Sequence, residues 1–196
     1  MDQASLPTAA IPHDGGTVYL TTADEQWKMV SYIQSNYKGF GSGIVIPGVG
    51  ISLQNSGAGF TLESGHPNRV VGGKRHYHTI IPGFVMKDGA PLMSFGVMGA
   101  HMHAQGHLQM MIRIFACHQN PQAAVDAPRW YLDEDSRLYL EPDFGPDVRE
   151  ELKKRGNILT GEAPTSVFGG AQIIYRMPDG YCAASDPRKD GQAVGF

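Results

Sequence analysis

Apolar and polar residues alternate along TVYLTTAD (17–24), with Val18, Leu20 and Thr22 on one side. A two-residue period predicts a strand. KMVSYIQSNY (28–37) predicts a second, rich in β-branched and aromatic residues, with the DEQ stretch between them as a hairpin turn. GIVIPGVGISLQN (43–55) continues as extended chain with a kink at Pro47-Gly48. Residues 61–75 read as a polar loop. TIIPGFVMKDGAPLMSFGVMG (79–99) reads as two strands joined at Lys87–Ala90, since Asp-Gly is a strong hairpin signal. From Ala104 to His118 the spacing turns helical, with Leu108, Met111, Ile112 and Phe115 on one stripe. Asn120 is a candidate N-cap for a second helix, with Pro121 at its first position. RLYLEP (137–142) is a short strand. GPDVREELKKRGN (145–157) is an amphipathic helix, acidic early, basic late and stopped at Gly156. SVFGGAQIIYR and GYCAASD supply the last two strands. This order of elements predicts an α+β layered fold rather than alternating βαβ units.

Composition narrows the picture. A chain of 196 residues with 41% hydrophobic and 18% charged positions suits one folded domain. A net charge of −3, without a run of Lys or Arg, argues against nucleic acid as a partner. No apolar stretch approaches the ~20 residues that span a bilayer. Residues 1–16, MDQASLPTAAIPHDGG, lack the charged and apolar regions of a signal peptide and read as a leader. That leaves the compartment unknown, cytoplasmic if the chain is complete as given. Cys117 and Cys182 are too few for a disulfide framework, and Cys117, in an apolar helical run, reads as a buried thiol.

The candidate chemistry lies at glycines. Gly15-Gly16-Thr17 precedes the first strand, Phe40-Gly41-Ser42-Gly43 follows the second, and Gly96-Val97-Met98-Gly99-Ala100 joins a strand to a helix. With GKRHYHTIIPGF, KDGAPLMSFG, NPQAAVDAPRW and the terminal DPRKDGQAVG, their order and spacing resemble the catalytic subunit of the γ-glutamyltranspeptidase family, within the N-terminal-nucleophile hydrolases. The resemblance covers residues 17–196 and implies an αββα sandwich, antiparallel sheets covered by helices, of which this chain is the catalytic half.

The resemblance also implies roles. Thr17 matches the threonine before which the precursor cuts itself, at the Gly16–Thr17 bond, and whose new α-amine serves as base for its own hydroxyl. That chemistry is sound in itself: a hydroxyl needs an adjacent base, and a free α-amine with a pKa of ~7.7–8.0 can take its proton. Ser35 matches a second hydroxyl that hydrogen-bonds the nucleophile. Gly99-Ala100 matches the glycine pair whose N–H groups form the oxyanion hole, with alanine in place of the second glycine, which narrows its backbone angles. Tyr37, Gly59 and His78-Thr79 stand where glutathione-cleaving members hold the glutamyl group. Gly59 supplies no counter-charge for an α-ammonium, so the substrate is a small γ-glutamyl compound or another amide. The family precedent adds a partner, the large subunit of the same precursor in a heterodimer. It needs no metal or organic cofactor. The chain alone, continuous through Gly16 and without that subunit, is expected to be inactive and to self-associate.

A rival reading uses His76, His78, His101, His103 and His107 as zinc ligands, since HMHAQGH offers H-x-H and a further His. It lacks a carboxylate within that heptad. A third reading is a non-catalytic subunit or remnant that folds without turning over.

Overall fold

The computed structural model describes residues 16–161 and 163–196. Residues 1–15 of the proposed leader, with Gly15, lie outside the described residues. The elements in chain order are β1 (Thr17–Ala23), β2 (Met29–Ser35), β3 (Val45–Ile46), β4 (Ile51–Ser52), β5 (Gly83–Lys87), β6 (Ala90–Met98), α1 (Met102–Met111), α2 (Pro121–Asp126), β7 (Trp130–Leu132), β8 (Arg137–Leu140), α3 (Pro146–Lys154), β9 (Ile158–Leu159), β10 (Gly170–Met177) and β11 (Gly180–Ser185). They fall into two compact units. One joins residue 16 with 35–76, the other 17–34 with 77–196.

In the larger unit a four-stranded sheet, ordered β11-β10-β6-β5, is antiparallel throughout. β6 is buried along five consecutive residues, Met93–Val97, so both faces of the sheet are covered. Side chains alternate across a strand. Met93, Phe95 and Val97, with Ala171, Ile173 and Ala184, join Met110 and Ile114 and the α2 residues Ala124 and Val125 in one core. Ser94 and Gly96 face the other way, toward β1: Thr21 and Ser94 hydrogen-bond through their hydroxyls, and a Cβ on Gly96 would strike the Tyr19 ring. The result is helix, sheet and strand-pair layers. β1 and β2 form the strand pair, and its turn end is fastened to the sheet. Trp27 packs on Tyr181 with the ring centroids 5.2 Å apart and the planes tilted by 57°, the Arg176 guanidinium lies 4.2 Å over Trp27, and the Tyr181 hydroxyl donates to the Asp24 carbonyl. A smaller sheet, β7-β8-β9, carries α3.

Several local expectations hold. Asp88 and Gly89, both with positive φ, turn β5 into β6. Asn120 accepts the Ala123 N–H as N-cap of α2. Gly156, at φ 87°, ends the turn after α3. Others are corrected. The stretch 43–55 is not merely kinked: it reverses at residues 47–50 and pairs Val45 with Ser52 and Ile46 with Ile51. The sheet-facing side of β1 is Thr17, Tyr19 and Thr21, while Val18 and Leu20 are exposed. On α1 the buried face is Met102, His103, Gly106, Gln109 and Met110, whereas Leu108 and Ile112 are about half exposed. That face wins because Gly106 lets the helix close on Val97, where a Cβ would come within 2.5 Å of the valine methyl. Cys117 is exposed, since the chain leaves the helix there through His118 at φ 54°. β7 and β9 were not expected. β7 is short and holds its outer edge through side chains: Gln105 and Gln109, one helical turn apart, each donate to and accept from the backbone of Leu132 and Trp130 respectively.

Candidate active site

Tyr19 over Gly96 and Thr21 beside Ser94 fix the direction of β1 across β6. As β1 advances two residues, β6 retreats two. One step back along the same register brings Thr17 level with Met98, one residue before Gly99. Thr17 is half-buried at the first position of β1. Tyr19 is buried under Gly96, shares a 2.7 Å hydrogen bond with Ser31, and has its phenol pushed up to about 12 by burial.

The turn after Met98 has an unusual backbone. Gly99 has φ 149°, and a Cβ there would lie 2.9 Å from the Gly169 Cα. Gly169, at φ 73°, would carry a Cβ 2.4 Å from the Met98 carbonyl oxygen. Two glycines thus allow two backbones to touch. Ala100 follows at φ 51°, in the left-handed region that alanine avoids at a cost of about 1–2 kcal/mol. Its carbonyl is held twice, by the His103 N–H at 3.1 Å and by His103 Nδ1–H at 2.8 Å. That bond fixes the Nδ1–H tautomer, and among the described residues the buried Nε2 has no hydrogen-bond partner. Burial lowers the His103 pKa, and the nearby His78 lowers it further, against the opposing Ala100 bond. His107, one turn on and 4.7 Å from the Phe95 ring, is brought down to about 4 by burial and by His103.

Behind Gly169 lies a buried charge network. Arg129 and Asp186 pair in full burial. Arg129 also donates to the Phe168 carbonyl at 3.0 Å and the Val125 carbonyl at 3.1 Å, while its backbone N–H donates to Glu141. Arg188 holds Glu141 with two donors and Asp186 with a third. Asp186 accepts the Ala171 N–H at 2.7 Å. Arg113, lowered to about 10 by burial, donates to the carbonyls of Ala124, Ala127 and Pro128. Two cations, Arg129 and Arg188, meet two anions, Asp186 and Glu141, so the net charge of that quartet is zero. The network ties the start of β10 to the end of β11 and fixes Phe168, the neighbour of Gly169. The motifs APRW and DPRK contain these arginines, yet no local signal in the sequence links them.

The remaining expected site residues divide between the two units. In the smaller, Ser35 Oγ accepts the Tyr37 N–H at 2.9 Å, and Tyr37 has φ 73°. Gly59 ends a short 3₁₀ turn, Ser56–Gly59, exposed, with its carbonyl held by Asn68. Gly41 is indispensable to its loop, because a Cβ would come within 2.4 Å of the Leu53 carbonyl oxygen. Gly16 approaches the Gly39 carbonyl closely enough that a Cβ would lie 2.8 Å from it. In the larger unit His78 is exposed and Thr79 half-buried, and Tyr77 stacks on His101. Among the described residues no three His, Cys, Asp or Glu side chains come together to hold a metal ion. Of the residues of the zinc reading, His76 meets Phe60 in the smaller unit; in the larger, His101 lies near Glu134, and His103, bonded to the Ala100 carbonyl, has His78 and His107 close enough to lower its pKa or be lowered by it. A concavity of about 650 Å³ lined by Ala23, Trp27, Tyr181 and Val194 lies at the far end of β1 from Thr17.

The model of the γ-glutamyltranspeptidase family matches residues 2–196. The chain belongs to the γ-glutamyltranspeptidase family. A glutathione hydrolase-like proenzyme of Bacillus subtilis is 32% identical over 98% of this chain, and an oxamate amidohydrolase proenzyme of Klebsiella pneumoniae is 32% identical over 100% of it. The chain spans 38% of the length of each of these relatives. A cephalosporin acylase from Bacillus halodurans superposes with a TM-score of 0.84 at 47% identity, over 91% of this chain and 34% of that one. The γ-glutamyltranspeptidase of Pseudomonas nitroreducens superposes with a TM-score of 0.76 at 25% identity, over 91% of this chain and 97% of that one. The fold class is therefore the α+β sandwich of the N-terminal-nucleophile hydrolases. The described residues supply one helix layer, the sheet and the β1-β2 layer. No helix among them is long and apolar enough to cross a membrane.

Proposed function

We propose that this chain is the nucleophile-bearing part of an amide hydrolase or acyltransferase of the γ-glutamyltranspeptidase family, with Thr17 as nucleophile. The observation that carries the reading is the register of β1 over β6, which puts the first residue of β1 level with Met98, beside Gly99 and Ala100. In the precursor the Thr17 hydroxyl attacks the Gly16 carbonyl. The peptide nitrogen leaves as an amine, the acyl group passes to oxygen, and water cleaves the ester. Until then that nitrogen is an amide whose lone pair is delocalised, so it is no base. Afterwards the free amine takes the hydroxyl proton as Thr17 attacks an amide substrate, and the proton goes to the leaving amine. The N–H groups of Gly99 and Ala100 stabilise the oxyanion. Water or an acceptor amine then removes the acyl group. Ser35 supports the hydroxyl, and Tyr37, Gly59, His78 and Thr79 belong to the acyl pocket.

The partner is the remainder of the proenzyme. Support comes from the proenzyme relatives, of which this chain spans 38%, and from the exposed apolar residues Phe40, Ile44, Val49 and Leu62 in the smaller unit. The relatives named for oxamate and cephalosporin favour an amide other than glutathione. The test is intact mass of the full-length precursor before and after incubation, with ammonia or amine release from an amide panel. We expect a fragment starting at Thr17, and Thr17→Ala blocking both cleavage and turnover. Cleavage at that bond or turnover persisting in the alanine variant overturns the assignment.

A further inference from the structure

We propose that Lys189 is the specificity determinant of this site and receives the second carboxylate of an acyl group that carries one. This rests on the Thr17 reading above.

The evidence begins with Gly170. It pairs with Met98 across β10 and β6, and it lies on the same face as Gln172, Gly96 and Ser94, the face that β1 covers. A Cβ on Gly170 would lie 2.3 Å from Lys189 Cγ and 3.1 Å from its Cε. The lysine stem therefore runs along the bare glycine. The segment stays on that face: a Cβ on Gly191 would lie 2.7 Å from Gln172 Nε2. Adjacent strands are about 4.8 Å apart. Thr17 stands level with Met98 and Lys189 lies against its partner Gly170, so the two occupy neighbouring positions over the sheet. A short acyl chain of two to four carbons spans such a gap, at about 1.5 Å per bond.

Charge supplies the second argument. Arg129, Arg188 and Arg113 are all committed to carboxylates or carbonyls. Lys189 is half-buried, and among the described residues its ammonium has neither an ion pair nor a hydrogen bond, although its backbone N–H is held by the Asp186 carbonyl. A partly desolvated cation next to a nucleophile favours an anionic ligand group. The position expected to neutralise an α-ammonium is Gly59, which has no side chain to do so. A cation without a partner on the sheet face that carries the nucleophile selects acyl amides with a second carboxylate.

The experiment uses the full-length processed enzyme with succinamate and its neutral methyl ester as donors, in wild type, Lys189→Met and Lys189→Arg. Wild type is expected to prefer the carboxylate by about tenfold or more in kcat/KM, the worth of one charge-assisted hydrogen bond. Lys189→Met should lose that preference, read as the ratio of kcat/KM for the two donors, chiefly through KM for the carboxylate donor, and Lys189→Arg should keep part of it. Calorimetric binding of succinate reads the same contact without turnover and should weaken about tenfold in Lys189→Met. Equal preference in wild type and Lys189→Met, or succinate binding unaffected by the substitution, overturns the proposal. If no amide is cleaved while succinate binding still depends on Lys189, the Thr17 reading fails and the Lys189 assignment stands.

Discussion

His107 makes the stability of this fold sensitive to acid, and the size of the effect follows from its surroundings. The ring lies against Phe95 on the helix-covered face of the sheet, next to His103, and its pKa falls from 6.5 to about 4. A depressed folded pKa means that the unfolded chain binds the proton more readily. The stabilisation is complete above the unfolded value and is lost as pH falls from there toward the folded one. Taking 6.5 unfolded and about 4 folded, the loss between about pH 7 and about pH 5 is roughly 2 kcal/mol. His103 shifts in the same direction for the same first cause, burial, so it adds to the loss. Carboxylates also contribute on acidification, and a variant separates the two. His107→Gln removes the titration and keeps a polar side chain of similar reach. Urea denaturation of the full-length protein at both pH values, for both forms, gives the difference directly. The wild type should lose roughly 2 kcal/mol more than His107→Gln across that window. Equal losses in the two proteins would show that His107 stays neutral, or stays hydrated, in both states, and the argument from burial would fail.

Two further substitutions probe how the sheet holds the site. Gly96→Ala places a methyl 2.4 Å from the Tyr19 ring, an overpacking expected to cost about 1–3 kcal/mol; combining it with Tyr19→Leu should recover part of that, and equal losses in single and double variants would mean β1 does not rest on Gly96. Asp186→Asn strips the charge that faces Arg129 in full burial and should cost about 3–5 kcal/mol, read by chemical denaturation; a loss under about 1 kcal/mol would mean that Arg188 and Glu141 balance the network without Asp186.

Much of the fold was legible where a single residue type dictates local geometry. Asp88-Gly89 both take positive φ, as a two-residue hairpin turn demands, and Asn120-Pro121 starts a helix by side-chain capping. The face of α1 was not legible. Leu108, Met111, Ile112 and Phe115 form the more apolar stripe, but the helix buries the side carrying Gly106, His103 and Gln109. Packing distance to Val97 and the hydrogen-bond needs of β7 outweighed hydrophobicity there, and neither shows in the spacing of the helix itself. The site divides similarly. Thr17, Gly99 and Ala100 stood out through the family motifs. The support for Ala100 did not, because a bond from His103 Nδ1 to the carbonyl three residues earlier becomes visible only once Ala100 is known to be left-handed. Lys189 was hidden for a further reason: it meets Gly170 through the return of the last segment over β10, and no periodicity reports that return.

The charge network behind the turn also argues about purpose. Burying Arg129, Asp186, Arg188 and Glu141 together is expensive, and apolar residues of the same volume often hold a fold as well or better. Their arrangement explains what apolar residues would not supply. Arg129 fixes the Phe168 carbonyl, and Asp186 fixes the Ala171 N–H. Between those two anchors lie Gly169 and Gly170. Gly169 is the backbone on which Gly99 rests, and Gly170 is the bare surface along which Lys189 runs. Dispersion forces tolerate small slides between surfaces, whereas a hydrogen bond to a charged group weakens steeply with misdirection. A shift of a few tenths of an ångström at Gly169 would press its backbone on Gly99, since the two already sit closer than any side chain allows. The same ionic clamp therefore governs the two halves of the proposed site, the oxyanion turn through Gly169 and the carboxylate cradle through Gly170, while the two bonds from His103 to the Ala100 carbonyl hold the turn from its other side.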